Sequence, residues 1–258
     1  MTKFSLASVS LDDLARLAVL ESRSMTADPW DGAVEPPDEA TRVQLRYLSA
    51  KLAQAHPTTL NEATLWSRAV YPLLELAETG RVRAWAEVTL TARDPYTDTE
   101  LSGIVDGVLA PEGVLAGAPG LPFLLVVEAK RGMEATDPRP QLLAAMLALL
   151  WTGLSHARAE QEPVEAFGCF TVGDIWTFVR AEAAVRPEGS APRLGVTLSW
   201  SREYTERAEA EVILGVLRWI TRRHAPSSAV QIQSPPLGIS AGSSSCPESC
   251  ITSPARTT

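Results

Sequence analysis

Apolar positions along the chain follow two rhythms. Residues 123–127 are continuously apolar, as expected of a strand covered on both faces in the middle of a sheet. Residues 82–91 alternate imperfectly around Trp85, Val88 and Leu90, and residues 101–110 carry Ile104, Val105, Val108 and Leu109. Both stretches read as strands. Ahead of them, residues 59–79 place Leu65, Trp66, Ala69, Leu73 and Leu76 at helical spacing, with Pro72 expected to kink the helix. Residues 141–154 read as a strongly apolar helix. Gly173-Asp174 then parts two further apolar runs, 166–172 and 175–182, as a tight hairpin in which glycine supplies the positive φ. A strand over 194–200 and an amphipathic helix over 205–223 close the series.

The flanks differ from this body. Residues 1–58 read as an N-terminal helical extension. Ser10 and Asp13 form a capping-box pair before Leu14, Leu17 and Leu20; a Pro-rich loop follows; Val43, Leu45, Leu48 and Leu52 mark a second helix ending near His56. Residues 59–224 form an α/β (α+β) domain with a mixed central sheet flanked by helices. From Ala225 onward, 34 residues include nine Ser and five Pro, with only Glu248 and Arg256 charged, so this tail is expected to be disordered.

Composition narrows the function classes. The hydrophobic share of 45% supports a real core. With 31 acidic and 23 basic side chains the net charge is −8, so no partner is selected by bulk positive charge. Three cysteines, Cys169, Cys246 and Cys250, give neither a disulfide framework nor paired zinc knuckles. His56, His156 and His224 fit no metal or triad spacing. The longest apolar run, 142–151, is half the length of a membrane span, and residues 1–10 lack an export pattern. A cytoplasmic protein with no membrane partner is expected.

Candidate chemistry lies at the strand ends. Asp106 lies on one strand, and Glu128-Ala129-Lys130 follows the apolar run on another. Residues two apart on a strand share a face, so Glu128 and Lys130 project together, and a neighbouring strand can bring Asp106 beside them. Two carboxylates held close together repel unless a hard cation joins them. Mg²⁺ is the natural ion and Mn²⁺ the alternative, with Asp106, Glu128 and the Ala129 carbonyl as its protein ligands. Lys130 then stands where an ammonium can orient an attacking water and stabilise charge developing on a phosphate. An incidental Glu–Lys pair is a competing explanation, but charges ending a run of five apolar residues are poorly hydrated.

This pattern resembles the PD-(D/E)XK nuclease superfamily, whose restriction-endonuclease-like fold puts an Asp and a Glu-X-Lys on adjacent strands. The resemblance covers roughly residues 59–182, and the hairpin around Gly173 is similar to a segment of restriction-subunit-like members. It implies a metal-dependent endonuclease, a phosphodiesterase acting on nucleic acid with DNA as the expected substrate. It also implies that Glu62, on the helix before the sheet, reaches the metal through water, and that Gln141 stands near the active site. Thr59-Leu60-Asn61-Glu62 can equally be a capping box, and Gln141 a first-turn polar residue after Pro140. Val105 stands where that family often has Pro, and Ala145 where a Tyr often follows the Gln. Arg131 and Arg139 are the expected phosphate contacts. The alternative function is a non-catalytic binding or assembly module, with a homodimer or a protein partner compatible with either. The tryptophans read as core rather than as base-stacking platforms.

Overall fold

A computed structural model of the chain describes residues 1–23, 30, 35–54, 60–112, 125–130, 137–156, 164–188 and 191–224. Among them are eight strands: β1 (Thr2–Ser5), β2 (Ala18–Arg23), β3 (Val82–Arg93), β4 (Thr99–Pro111), β5 (Leu125–Lys130), β6 (Glu165–Val172), β7 (Ile175–Glu188) and β8 (Ala191–Thr205). The α-helices are α1 (Leu11–Leu17), α2 (Glu39–Gln54), α3 (Glu62–Leu65), α4 (Tyr71–Leu76), α5 (Arg139–His156) and α6 (Glu206–His224). The strands form one mixed sheet. From β5 its order runs β6, β7, β8 and β2, while β4 pairs with β3 along one edge and with both β1 and β5 along the other. β5 and β6 are parallel. Parallel neighbours need a crossover, and α5 supplies it.

The sheet is covered on both faces, as the expected fold class requires. α5 is buried at every position from Leu142 to Trp151 and fills one core with Val88, Leu90, Val105 and Val196. A helix apolar all round suits such a place. The other face packs against α4 and α6 through Leu73, Leu74, Ile213, Leu217 and Ile220. No helix among the described residues is long and apolar enough to cross a membrane.

Residues 1–58 depart from the helical expectation. The Ser10–Asp13 capping box forms, each member accepting the other's backbone N–H. The helix nevertheless stops at Leu17, short of Leu20, because Ala18 turns extended and the chain runs on as β2 parallel to β8, Ala18 beside Leu194. Thr2–Ser5 likewise adds β1 to β4. Each strand satisfies backbone donors and acceptors that a frayed helix end would leave to water. Within 59–79 the chain also differs from a simple kinked helix: a π-helical turn, Trp66–Val70, separates α3 from α4. Pro72, in the first turn of α4, has no N–H for the carbonyl four residues earlier, and the widened turn absorbs that misfit. The segments 113–124 and 225–258 and residue His56 lie outside the described residues.

The Gly173-Asp174 hairpin is as expected, with Gly173 at φ 64°. It is tied to α6, since the Trp176 indole donates to Glu206 at 2.9 Å and the Glu206 N–H donates to the Asp174 carbonyl at 2.8 Å. Burial raises the Glu206 carboxyl from 4.5 to about 7. A raised acid favours the folded state fully below its unfolded value and loses that contribution as pH climbs through the folded one. The contribution is therefore complete below about pH 4.5 and gone above about pH 7. Glu206→Gln should flatten this slope and gain on the order of 1–3 kcal/mol over the parent at pH 8. Urea midpoints at pH 5 and pH 8 measure it, and equal slopes for the two proteins would refute it.

Candidate active site

β4 has one edge to share between two partners. β1 takes it as far as Ser102 and β5 takes it from Gly107 to Leu109, so Asp106 stands where β4 and β5 part. There a side chain replaces the ladder: the Ala129 N–H donates to Asp106 Oδ2 at 2.7 Å. N–H and C=O of one residue lie on the same edge of an extended strand, so the Ala129 carbonyl also faces β4. The positions on either side of Ala129 on β5 hold the other two groups. Lys130 Nζ lies 2.5 Å from Glu128 Oε1, with Glu128 only 1% exposed, and 3.9 Å from Glu62 Oε1.

The geometry opposite Asp106 is unusual. β3 and β4 keep one register throughout, Ala86 facing Gly107 and Val88 facing Val105, yet the intervening Glu87 and Asp106 are left out of the pairing. Glu87 has φ 52°, the one non-glycine residue with positive φ among those described. Both strands change faces here. Ala84 packs with α6 and Val88 with α5, although the two share a parity; on β4, Val105 packs with α5 and Leu109 with α6. In an unbroken strand such residues would stay on one face. A left-handed residue rotates the strand, and it opens a cavity of about 450 Å³ lined by Glu62, Ala63, Trp66, Ala86, Glu87, Asp106 and Ala129. Trp66 reaches this cavity because residue 107 is glycine: a Cβ there would run into the indole ring.

Electrostatics follow from burial. Burial, then the nearby Asp106 carboxylate, raises the Glu128 carboxyl to about 7. Asp106 is also raised, chiefly by burial, with the Ala129 N–H opposing. Burial works against the Lys130 ammonium, but the Glu128 hydrogen bond and the surrounding carboxylates outweigh it and hold its pKa above the ordinary value. Lys130 is therefore a cation at neutral pH, suited to stabilising negative charge rather than to taking up a proton.

These residues fit a hard divalent ion. Two carboxylates repelling one another in a buried place, with a backbone carbonyl on the same edge, form an all-oxygen donor set. Among the described residues no three Asp, Glu, His or Cys side chains are grouped closely enough to hold an ion by themselves. Mg²⁺ is commonly held by one or two carboxylates, with water and phosphate completing its shell. No protein-family model matches the sequence, and no curated protein matches it.

The other expected site residues fall unequally. Glu62 is exposed at the cavity and is not half of a capping box. Asn61 is the cap, its side chain accepting from the Thr64 N–H at 2.8 Å, which leaves the Glu62 carboxylate directed at Lys130. Gln141 sits half-buried in the first turn of α5 and is not among the described residues that line the cavity. Arg139 is held by Asp137 at 2.7 Å; away from these residues, on β7, Arg180 is held by Glu165 and Glu182. Arg131 lies outside the described residues. Trp151 and Trp176 are core, as expected, whereas Trp66 is half-buried and lines the cavity. Glu87 was legible only as one more charge in an irregular strand. A weak signal existed in the break of apolar alternation between Trp85 and Val88.

Proposed function

We propose that the protein is a Mg²⁺-dependent nuclease of the PD-(D/E)XK type with a restriction-endonuclease-like fold, hydrolysing phosphodiester bonds of nucleic acid, with DNA as the first substrate to test. The observation that carries this reading is the parting of β4 and β5 around the Asp106–Ala129 hydrogen bond, with Glu128 and Lys130 on either side of Ala129. Asp106, Glu128 and the Ala129 carbonyl hold the ion, and Glu62 assists from α3. A bound Mg²⁺ supplies neutralisation of the phosphate charge and Lewis-acid polarisation of its oxygen. Lys130 orients the attacking water and stabilises the charge that develops as the new P–O bond forms and the old one breaks.

The test incubates the full chain with labelled DNA and RNA in Mg²⁺, in Mn²⁺ and in EDTA. Cleavage in either metal and none in EDTA is the expected result. Folded protein that cuts nothing would favour the second reading, a binding or assembly module. That reading draws support from the net charge of −8 and from the engagement of Arg139 and Arg180 with carboxylates.

A further inference from the structure

The cavity beside Lys130 contains more than phosphodiester hydrolysis uses. Its walls are small and apolar at Ala63, Ala86 and Ala129, with the Trp66 ring on one side and the Glu87 carboxylate on another. Its volume of about 450 Å³ is that of a small-molecule site rather than a groove for a double helix. The Trp66 ring is set in advance: it lies over the notch at Gly107, and the Tyr71 ring is 5.9 Å away at a tilt. It is nevertheless only partly buried, unlike the core indoles of Trp151 and Trp176, which are 0% exposed. Glu87 is exposed, has no hydrogen bond or ion pair among the described residues, and is kept out of the β3–β4 ladder by its left-handed backbone.

The reacting groups are recessed. Glu128 is 1% exposed and the Lys130 side chain 19%. The cavity adjoins them, since Glu62 and Asp106, which line it, are neighbours of Lys130 and Glu128. In a duplex the bases are stacked inside and the backbone is constrained to the helix, whereas an unpaired strand can place a phosphate inward and lay the adjoining base on an aromatic wall. A net charge of −8 is also poorly suited to the many cationic contacts that hold duplex backbones. Stacking gives affinity without them.

We propose that this cavity receives an unpaired nucleobase next to the scissile phosphate, stacked on Trp66, with Glu87 accepting a hydrogen bond from the base's exocyclic amino group. The substrate is then single-stranded nucleic acid; the proposal rests on the nuclease reading above. Carboxylates accept from the amino group of cytosine, and thymine offers no such donor.

Steady-state cleavage by the full chain in Mg²⁺ tests this, using a labelled single-stranded oligonucleotide, its duplex, and versions with cytosine, thymine or an abasic site at the cut. The single strand should be cut at least about 10-fold faster than the duplex, and Trp66→Leu should raise KM on it about 10-fold, more than it lowers kcat. Trp66→Phe should recover most of that loss, with the thermal unfolding midpoints of both variants measured beside the rates to set folding defects apart. An abasic site should remove the effect of the Trp66 change, and Glu87→Gln should narrow the preference for cytosine over thymine. Equal rates on duplex and single strand, or an unchanged KM for Trp66→Leu, would overturn the base pocket and leave the nuclease standing. A parent that cuts no nucleic acid would overturn the nuclease reading and the base pocket with it.

Discussion

Replacing Lys130 with alanine should lower the rate of metal-dependent cleavage by about 10²–10³-fold while leaving the fold in place. The ammonium is recessed against Glu128 and keeps its charge, so its removal takes away the one cation that the described structure sets beside Asp106 and Glu128. The fold should survive because Glu128, already raised to about 7, can take up a proton when its counter-charge is gone. A neutral carboxyl is far easier to keep buried than an unpaired carboxylate. Asp106→Asn complements this variant. Asparagine keeps an oxygen to accept the Ala129 N–H but loses the negative charge, so it should abolish cleavage without disturbing the parting of the strands. Asp106→Ala also strips the Ala129 N–H of its partner. Cleavage rates set beside thermal unfolding of the three variants separate the two roles, and a Lys130→Ala protein that cuts as fast as the parent would end the assignment.

Trp30→Ala should be the most destabilising of the changes considered, by about 3–5 kcal/mol. Trp30 is 0% exposed although it lies between β2 and α2, outside any helix or strand. Its ring meets Phe167 edge-on at 5.8 Å, stacks on Phe178 at 6.0 Å and meets Trp219 edge-on at 5.6 Å. One side chain thus joins β6, β7 and α6. Small domains have total stabilities of about 5–15 kcal/mol, so the loss is a large share of the whole. Trp30→Phe should recover part of it by refilling volume. Urea unfolding measures both, and a loss below about 1 kcal/mol would show that the aromatic cluster does not depend on Trp30.

The centre of the candidate site was legible because its residues lie two apart on a strand and end an apolar run, a local pattern. Glu128, Ala129 and Lys130 occupy one strand, and Asp106 reaches their backbone from the next, as that pattern implied. What was not legible depends on long-range pairing. Nothing within Ala18–Arg23 distinguishes a short strand from the end of a helix, because its identity as a strand is conferred by β8. Leu17 and Leu20 are three apart and satisfy a helical period equally well. Trp66 fits a helical core stripe, and only the glycine facing it, on another strand, turns it toward the cavity. Glu87 shows the same limit, since a left-handed glutamate is imposed by the surrounding ladder and not by its own propensity. Trp30 carries no period at all, being a lone aromatic residue between Pro29 and Asp31.

The two short N-terminal strands also set a timetable. β1 adds to β4, and β2 lies beside β8, so Ala18 finds its neighbour only at Leu194. Closing so long a loop is entropically slow, and chains rich in distant pairings fold slowly as a class. Until β2 arrives, the outer edge of β8 stays open, and α5, apolar on every side, has only part of its eventual surroundings. Refolding from denaturant should therefore be limited by the arrival of β2 rather than by the β6–β7 hairpin, whose strands meet across two residues. A sheet closed last by its first residues is most vulnerable to association with other chains during that wait.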